Sequence, residues 1–168
     1  GKLPVTFYES LEELPDFEDY TMEGRTYRYM KGKAQYPFGY GLTYGKLELT
    51  AAKIQENGTG ADVSVTVYNS GDQEVTETIQ VYVNSKSPYA PLHPALAAFS
   101  RITVQPGETL EKTLTLDESA FTIVDEKGQR QTAAGTFEVY AGFSQPDERS
   151  VELMGCAPVR LEFQVSRE

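Results

Sequence analysis

The feature that most constrains this chain is a period of two that recurs through residues 47–168. Val63, Val65 and Val67 alternate with Asp62, Ser64, Thr66 and Tyr68. Side chains alternate across a strand, so the valines share one face and the polar residues the other. The next run repeats the pattern, with Val75, Ile79, Val81 and Val83 on one parity and Thr76, Thr78, Gln80 and Tyr82 on the other. Leu110, Leu114 and Leu116 follow, sharing parity with Lys112. Then come Phe137, Val139, Ala141 and Phe143, and finally Val159, Leu161, Phe163 and Val165. Turn chemistry separates these runs. Asn69-Ser70-Gly71-Asp72, Gln105-Pro106-Gly107-Glu108 and Asp125-Glu126-Lys127-Gly128 each supply residues that tolerate turn geometry. Between residues 88 and 94 lie Pro88, Pro91 and Pro94, which leave no room for a central strand. Pairing is expected to resume around Ala98–Val104, and Asp117–Ala120 to start a short helical turn. Short strands at this spacing predict an all-β, two-sheet sandwich with Val65, Val81, Leu114, Val139 and Phe163 inside. No helix-length amphipathic pattern and no strand–helix alternation is read in this region.

Residues 1–46 differ in kind. They hold seven of the eleven tyrosines, at positions 8, 20, 27, 29, 36, 40 and 44, with little periodicity. A strand is expected at Leu3–Tyr8, followed by an acidic stretch anchored by Leu11 and Leu14. In Tyr36-Pro37-Phe38-Gly39-Tyr40-Gly41-Leu42-Thr43-Tyr44 two glycines sit among aromatics, as expected for a backbone turning tightly against a surface. The rings could stack on sugar faces, but burial against a neighbouring domain is the preferred reading. Arg25 and Arg28 could bond carbonyls or a carboxylate there. The opening at Gly1 reads as the middle of a longer chain, or as a start carrying one added glycine.

The reactive residues are few. Formal net charge is −10, from 15 Lys and Arg against 25 Asp and Glu, which speaks against a general basic surface for nucleic acid or anionic lipid. No apolar run is long enough to span a bilayer. Glu12, Glu13, Asp16, Glu18 and Asp19 crowd together without the asymmetric burial that a pair of hydrolytic carboxylates needs, and read as a solvated surface. His93, the only histidine, lies among prolines with no serine elbow nearby. Cys156, the only cysteine, lacks a partnered base and cannot form an internal disulfide. Gly39 and Gly41 do not match a phosphate loop. Asn57-Gly58-Thr59 matches a glycosylation acceptor and equally a turn. Asp125-Glu126 falls far short of a calcium loop. No catalytic residue, cofactor site or metal site is assigned.

Several segments resemble family 3 glycoside hydrolases. Gly1–Tyr8 is similar to the end of that family's second, α/β domain. Leu14–Tyr20, Gly24–Tyr29 and Tyr36–Tyr44 look like the connecting region that follows it. Val67–Asp72, Val75 with Gln80–Val83, Leu96–Ile102, Pro106–Thr109 and Ala134–Gly142 resemble the C-terminal fibronectin type III-like domain. Within Leu96–Ile102, Ala97, Ala98 and Ser100 depart from the glycine and basic residue often found there. The resemblance implies an immunoglobulin-like or fibronectin type III-like sandwich at 47–168, preceded by an irregular extension at 1–46 that ends the α/β domain and forms an aromatic-rich linker. It implies a retaining parent enzyme acting on terminal β-xylosides or β-glucosides. That parent's nucleophile and acid/base residue have no matching positions here. The implied partners are the catalytic barrel and α/β domains of the same parent chain. Exposed rings also predict self-association of the piece alone. The rival readings are a carbohydrate-binding module and a stand-alone interaction domain.

Overall fold

The computed structural model describes residues 1–166. In chain order the elements are β1 (Phe7–Tyr8), α1 (Thr26–Tyr29), β2 (Ala34–Tyr36), β3 (Leu47–Glu56), β4 (Gly60–Asn69), β5 (Val75–Ser85), β6 (Ala95–Val104), β7 (Thr109–Asp117), β8 (Thr122–Val124), β9 (Arg130–Thr132), β10 (Gly135–Gly142), α2 (Glu148–Met154) and β11 (Val159–Val165). A 3₁₀ turn at Leu11–Glu13 precedes α1, and another at Glu118–Phe121 links β7 to β8. Two sheets carry the fold, one ordered β3-β4-β7 and the other β11-β10-β5-β6. All their pairings are antiparallel. The chain enters the first sheet with β3 and β4, crosses to the second for β5 and β6, returns as β7, and crosses again for β10 and β11. This is the immunoglobulin-like, fibronectin type III-like sandwich.

The alternation read in the sequence builds the core. Val63, Val65 and Val67 of β4 face Ile79, Val81, Val139 and Ala141 from the opposite sheet, all fully buried. Phe121 and Phe137 meet edge to face, with centroids 5.3 Å apart, and Phe163 closes on Phe121 at 4.8 Å. Leu114 is buried and Phe163 partly so, as expected. The Gln105–Glu108 turn joins β6 to β7, with Gly107 at φ +72°. Asp117 caps the 3₁₀ turn, accepting from the Ser119 amide. The Asp125–Gly128 hairpin turn joins β8 to β9.

Three expectations need correction. The strand expected at Leu3–Tyr8 is only Phe7–Tyr8, because Leu3 pairs instead with the 39–40 turn, through its amide to the Tyr40 carbonyl at 2.9 Å and its carbonyl to the Gly39 amide at 2.8 Å. β6 starts at Ala95, directly after Pro94, rather than near Ala98; a bulge at Ala97 shifts the register there and hides the alternation. A helix, α2, lies where none was read. Asp147 caps it by accepting from the Ser150 amide, and Gly155 at φ +70° ends it, with its amide donating to the Val151 carbonyl. Seven residues were too few to show a helical period, but the Asp and Gly caps were visible. Gln80 and Tyr82 lie on the polar side of β5 as read, and both are buried there.

Candidate functional site: a polar and aromatic seat for residues 1–46

The burial of Gln80 and Tyr82 defines the most organised feature outside the core. On β5, Ile79, Val81 and Val83 fill the sandwich, leaving Gln80 and Tyr82 to face outward. Here the outward side chains are covered by the aromatic extension. Tyr27 stacks on Phe38 with centroids 4.2 Å apart and 12° between planes, and meets Tyr82 edge-on at 6.3 Å. The Tyr27 hydroxyl accepts from the Leu96 amide at 3.0 Å. Tyr36 stacks on Tyr40 at 5.8 Å, and Phe7 meets Tyr36 edge-on.

A chain of buried hydrogen bonds lies beneath these rings. The Tyr82 hydroxyl donates to Gln80 Oε1 at 2.6 Å. Gln80 Nε2 donates to the Gly39 carbonyl at 2.9 Å and to the Phe143 carbonyl at 3.0 Å. The amide of Gln80 thereby uses both its donors and its acceptor, binding strand, extension and β10 exit together. Burial, with smaller contributions from neighbouring Tyr27 and Asp147, pushes the Tyr82 phenol far above the ordinary tyrosine range, so it remains a donor. Gly39 is required twice over. Its φ is +75°, and a Cβ there would run into Gln80 Oε1 and come within 2.7 Å of the Tyr82 oxygen.

The extension is pinned elsewhere too. Lys2 Nζ lies 2.9 Å from Glu77 Oε1, with side chains only 13% and 4% exposed, and donates to the Gly41 carbonyl. The Tyr8 hydroxyl donates to the Gly24 carbonyl at 2.7 Å, and Arg25 donates to the Asp16 and Asp19 carbonyls. Arg149 of α2 reaches the Gln35 carbonyl, and Lys33 pairs with Glu152. His93 belongs to this structural set. Its amide donates to the Arg28 carbonyl, and Nε2 lies 2.7 Å from the Met30 carbonyl, which fixes the proton on Nε2.

The remaining candidates lie apart from the seat. The acidic stretch folds on itself: Asp16 accepts from the Glu18 amide, Glu13 from the Glu9 amide, and Asp19 from Thr21, whose bonds hold the Asp19 carboxyl below its usual range. Asp125 accepts from the Lys127 and Gln129 amides in its turn. Asn57 accepts from the Thr59 amide and donates to Asp62 in the β3–β4 turn. Partial burial pushes the Cys156 thiol up, partly offset by Lys2, which disfavours the nucleophilic thiolate. Among the described residues, no three His, Cys, Asp or Glu side chains are grouped to hold a metal, and no helix is long and apolar enough to cross a membrane. The residues that sequence reasoning missed are Gln80, Glu77 and Asp147. A glutamine and a tyrosine two apart, opposite a valine face, were the available signal.

The sandwich and its match to the fibronectin type III-like domain model over residues 77–145 define the class. The chain is 40% identical over 152 residues to a xylan 1,4-beta-xylosidase of Xylanibacter ruminicola, covering 88% of this chain and 17% of that protein. It is 35% identical over 136 residues to an exo-alpha-(1->6)-L-arabinopyranosidase of Bifidobacterium longum, covering 79% of this chain and 18% of that protein. The solved beta-glucosidase 3B of Thermotoga neapolitana superposes with a TM-score of 0.83 at 25% identity, covering 99% of this chain and 24% of that one. The chain is a relative of the family 3 glycoside hydrolases, the β-glucosidase and β-xylosidase family, and carries their fibronectin type III-like domain. It spans under a fifth of the length of these curated relatives.

Proposed function

We propose that this chain is the non-catalytic C-terminal portion of a family 3 glycoside hydrolase, and that it braces that enzyme's catalytic domains. Residues 1–46 are the end of the α/β domain and the aromatic-rich linker; residues 47–168 are the fibronectin type III-like domain. The partners are the barrel and α/β domains of the same parent, which hydrolyses terminal β-D-xylosides or β-D-glucosides with retention. The names of the xylosidase and glucosidase relatives support that substrate class.

One observation carries the reading: the extension is two-sided. Its inner side is fixed to β5 through Tyr27 and Gly39, with Phe38 stacked on Tyr27 and Tyr40 buried. Its outer side holds ten of the fourteen exposed large apolar side chains among the described residues, Phe17, Tyr20 and Tyr44 being over 90% exposed. Apolar surface concentrated in this way marks an interaction site, and burying it contributes about 25 cal/mol per Å². The purified chain is expected to show no turnover of chromogenic β-xylosides or β-glucosides; measurable turnover refutes the reading. In the parent enzyme, replacing Phe17, Tyr20 and Tyr44 together by serine should lower the melting temperature of the catalytic domains. An unchanged melt would show that these rings brace nothing.

A further inference from the structure

We propose that Asn57, at the tip of the β3–β4 hairpin, is a site of self-modification. The Gly58 backbone nitrogen attacks the Asn57 side-chain carbonyl, closes a succinimide and converts the asparagine to aspartate and isoaspartate. The chain has three asparagines, Asn57, Asn69 and Asn84, and glycine follows only the first; serine follows the other two. Glycine leaves the attacking nitrogen free of a neighbouring Cβ. Asn57, Gly58 and Thr59 are all exposed. Gly58 stands at φ +88° in open space, and its amide donates to no group among the described residues.

The turn brings the reacting groups together. Asn57 Oδ1 accepts from the Thr59 amide at 3.1 Å, closing an Asx turn that folds the side chain back over the Asn57–Gly58 peptide. Nucleophile and carbonyl thus meet within one turn, with no encounter to wait for. The Thr59 hydroxyl lies 3.4 Å from the same oxygen. That oxygen takes the negative charge when nitrogen adds to Cγ, so both Thr59 donors stabilise the tetrahedral intermediate. Asn69 is the internal contrast. Its Oδ1 also accepts from the amide two residues on, but it is fully buried and its Nδ2 is held by the Gln73 and Val104 carbonyls.

The step needs only water. The Gly58 nitrogen gives its proton to solvent and its lone pair forms the bond to Cγ. The Cγ–Nδ2 bond breaks, and Nδ2 takes up a proton and leaves as ammonia. Water then opens the imide: breaking the bond to Cγ yields aspartate, and breaking the bond to the Asn57 backbone carbonyl carbon yields isoaspartate. Nothing is oxidised or reduced. The product changes the hairpin tip. Nδ2 donates to Asp62 Oδ1 at 3.0 Å, and Asp62 also accepts from Thr115 of β7. After conversion a second carboxylate faces Asp62 where that donor stood, which loosens the tip. The inference concerns only this chain's own groups and does not depend on what the parent enzyme hydrolyses.

The test is peptide mapping by mass spectrometry of the folded chain held in mildly alkaline buffer, with isoaspartate read by enzymatic methylation. The peptide carrying Asn57 should convert to a mixture of aspartate and isoaspartate while Asn69 and Asn84 stay intact. Its rate should rise about tenfold per pH unit, because the deprotonated amide is the nucleophile. Gly58→Ala should slow conversion by about tenfold or more through crowding of that nitrogen. Thr59→Val keeps the Asn-Gly pair and removes one donor from Oδ1, and should slow conversion about threefold; Thr59 is exposed, so this variant stays informative if Gly58→Ala disturbs the hairpin. Three results overturn the inference: Asn57 intact in the folded chain while a free peptide of residues 53–63 converts, conversion of Asn69 or Asn84 ahead of Asn57, or equal rates in the parent chain and both variants.

Discussion

Replacing Gly39 by alanine tests the seat directly. At φ +75° an alanine pays about 1–2 kcal/mol for left-handed backbone. Its Cβ also collides with Gln80 Oε1 and lies 2.7 Å from the Tyr82 hydroxyl, both buried and both bonded. Gln80 must move, and with it go the bonds to the Gly39 and Phe143 carbonyls. Leaving even one of these buried groups unpaired costs about 1–3 kcal/mol. The total is about 2–5 kcal/mol, carried by the contact between extension and β5 rather than by the sandwich core. The matched control is Gly58→Ala, at φ +88° with open space around its Cβ, which bears only the backbone cost. Native-state hydrogen exchange reads the difference, because the His93 and Leu96 amides donate to the Arg28 carbonyl and the Tyr27 hydroxyl, bonds that last only while the extension is seated. Their exchange should accelerate by about thirtyfold or more in Gly39→Ala, since each 1.4 kcal/mol is a factor of ten. Equal exchange at these amides in the two variants would refute the two-faced account of β5.

Three further outcomes follow from the same structure. Val81→Asp places an uncompensated charge at a fully buried core position and should unfold the sandwich or lower its melting temperature by well over 10 °C, on the order of 4 kcal/mol or more; a melt within a few degrees of the parent would refute the face assignment. Burial is the main cause that raises the Asp147 carboxyl above 3.8, so its stabilising contribution is complete below 3.8 and is lost as pH rises through the folded value. Asp147→Asn keeps the helix cap without the charge, so its urea midpoint should match or exceed the parent's at pH 7, with any advantage shrinking toward pH 3.8; an advantage that grows on acidification contradicts this. The Tyr140 phenol is pushed up to about 12 by burial and by its bond to Glu138, and Tyr82 higher still. Tyr140 therefore stabilises the fold fully below pH 10 and loses that contribution through about 12. Absorbance titration should show Tyr82 and Tyr140 ionising well above pH 10, and the absence of any such late ionisation would exclude it.

The sandwich was legible because a period of two says which residues share a face, and one face of each long strand is apolar. Val63, Val65 and Val67 needed no further information. What covers the other face was not legible. Alternation assigns Gln80 and Tyr82 to the polar side correctly, but polarity does not distinguish a side facing water from one facing a glycine turn 41 residues away in sequence. The tyrosine-rich composition of residues 1–46 predicted that their rings would bury against something. It could not say that Tyr27 and Phe38 go inward while Tyr20 and Tyr44 stay out, because that division depends on where Gln80 holds the chain. α2 and the start of β6 were missed for local reasons: a helix of two turns has too few residues to show a period, and the bulge at Ala97 breaks one.

The polar trio of Gly39, Gln80 and Tyr82 does something that an apolar patch in its place could not. Rings stacked on aliphatic side chains gain nearly the same free energy at several offsets, because burial is non-directional. A buried amide with two donors and an acceptor, all used, has one satisfied arrangement, and any slip of the extension along β5 strands part of it away from water. Register is therefore set by hydrogen bonds and adhesion by the rings. If the extension carries other domains at its far side, as proposed, then fixing Gly39 against Gln80 fixes the angle at which the sandwich meets them. A brace needs that rigidity more than it needs affinity. The seat spends buried polar groups where hydrophobic ones would bind as tightly, and what it gains is a single docked position.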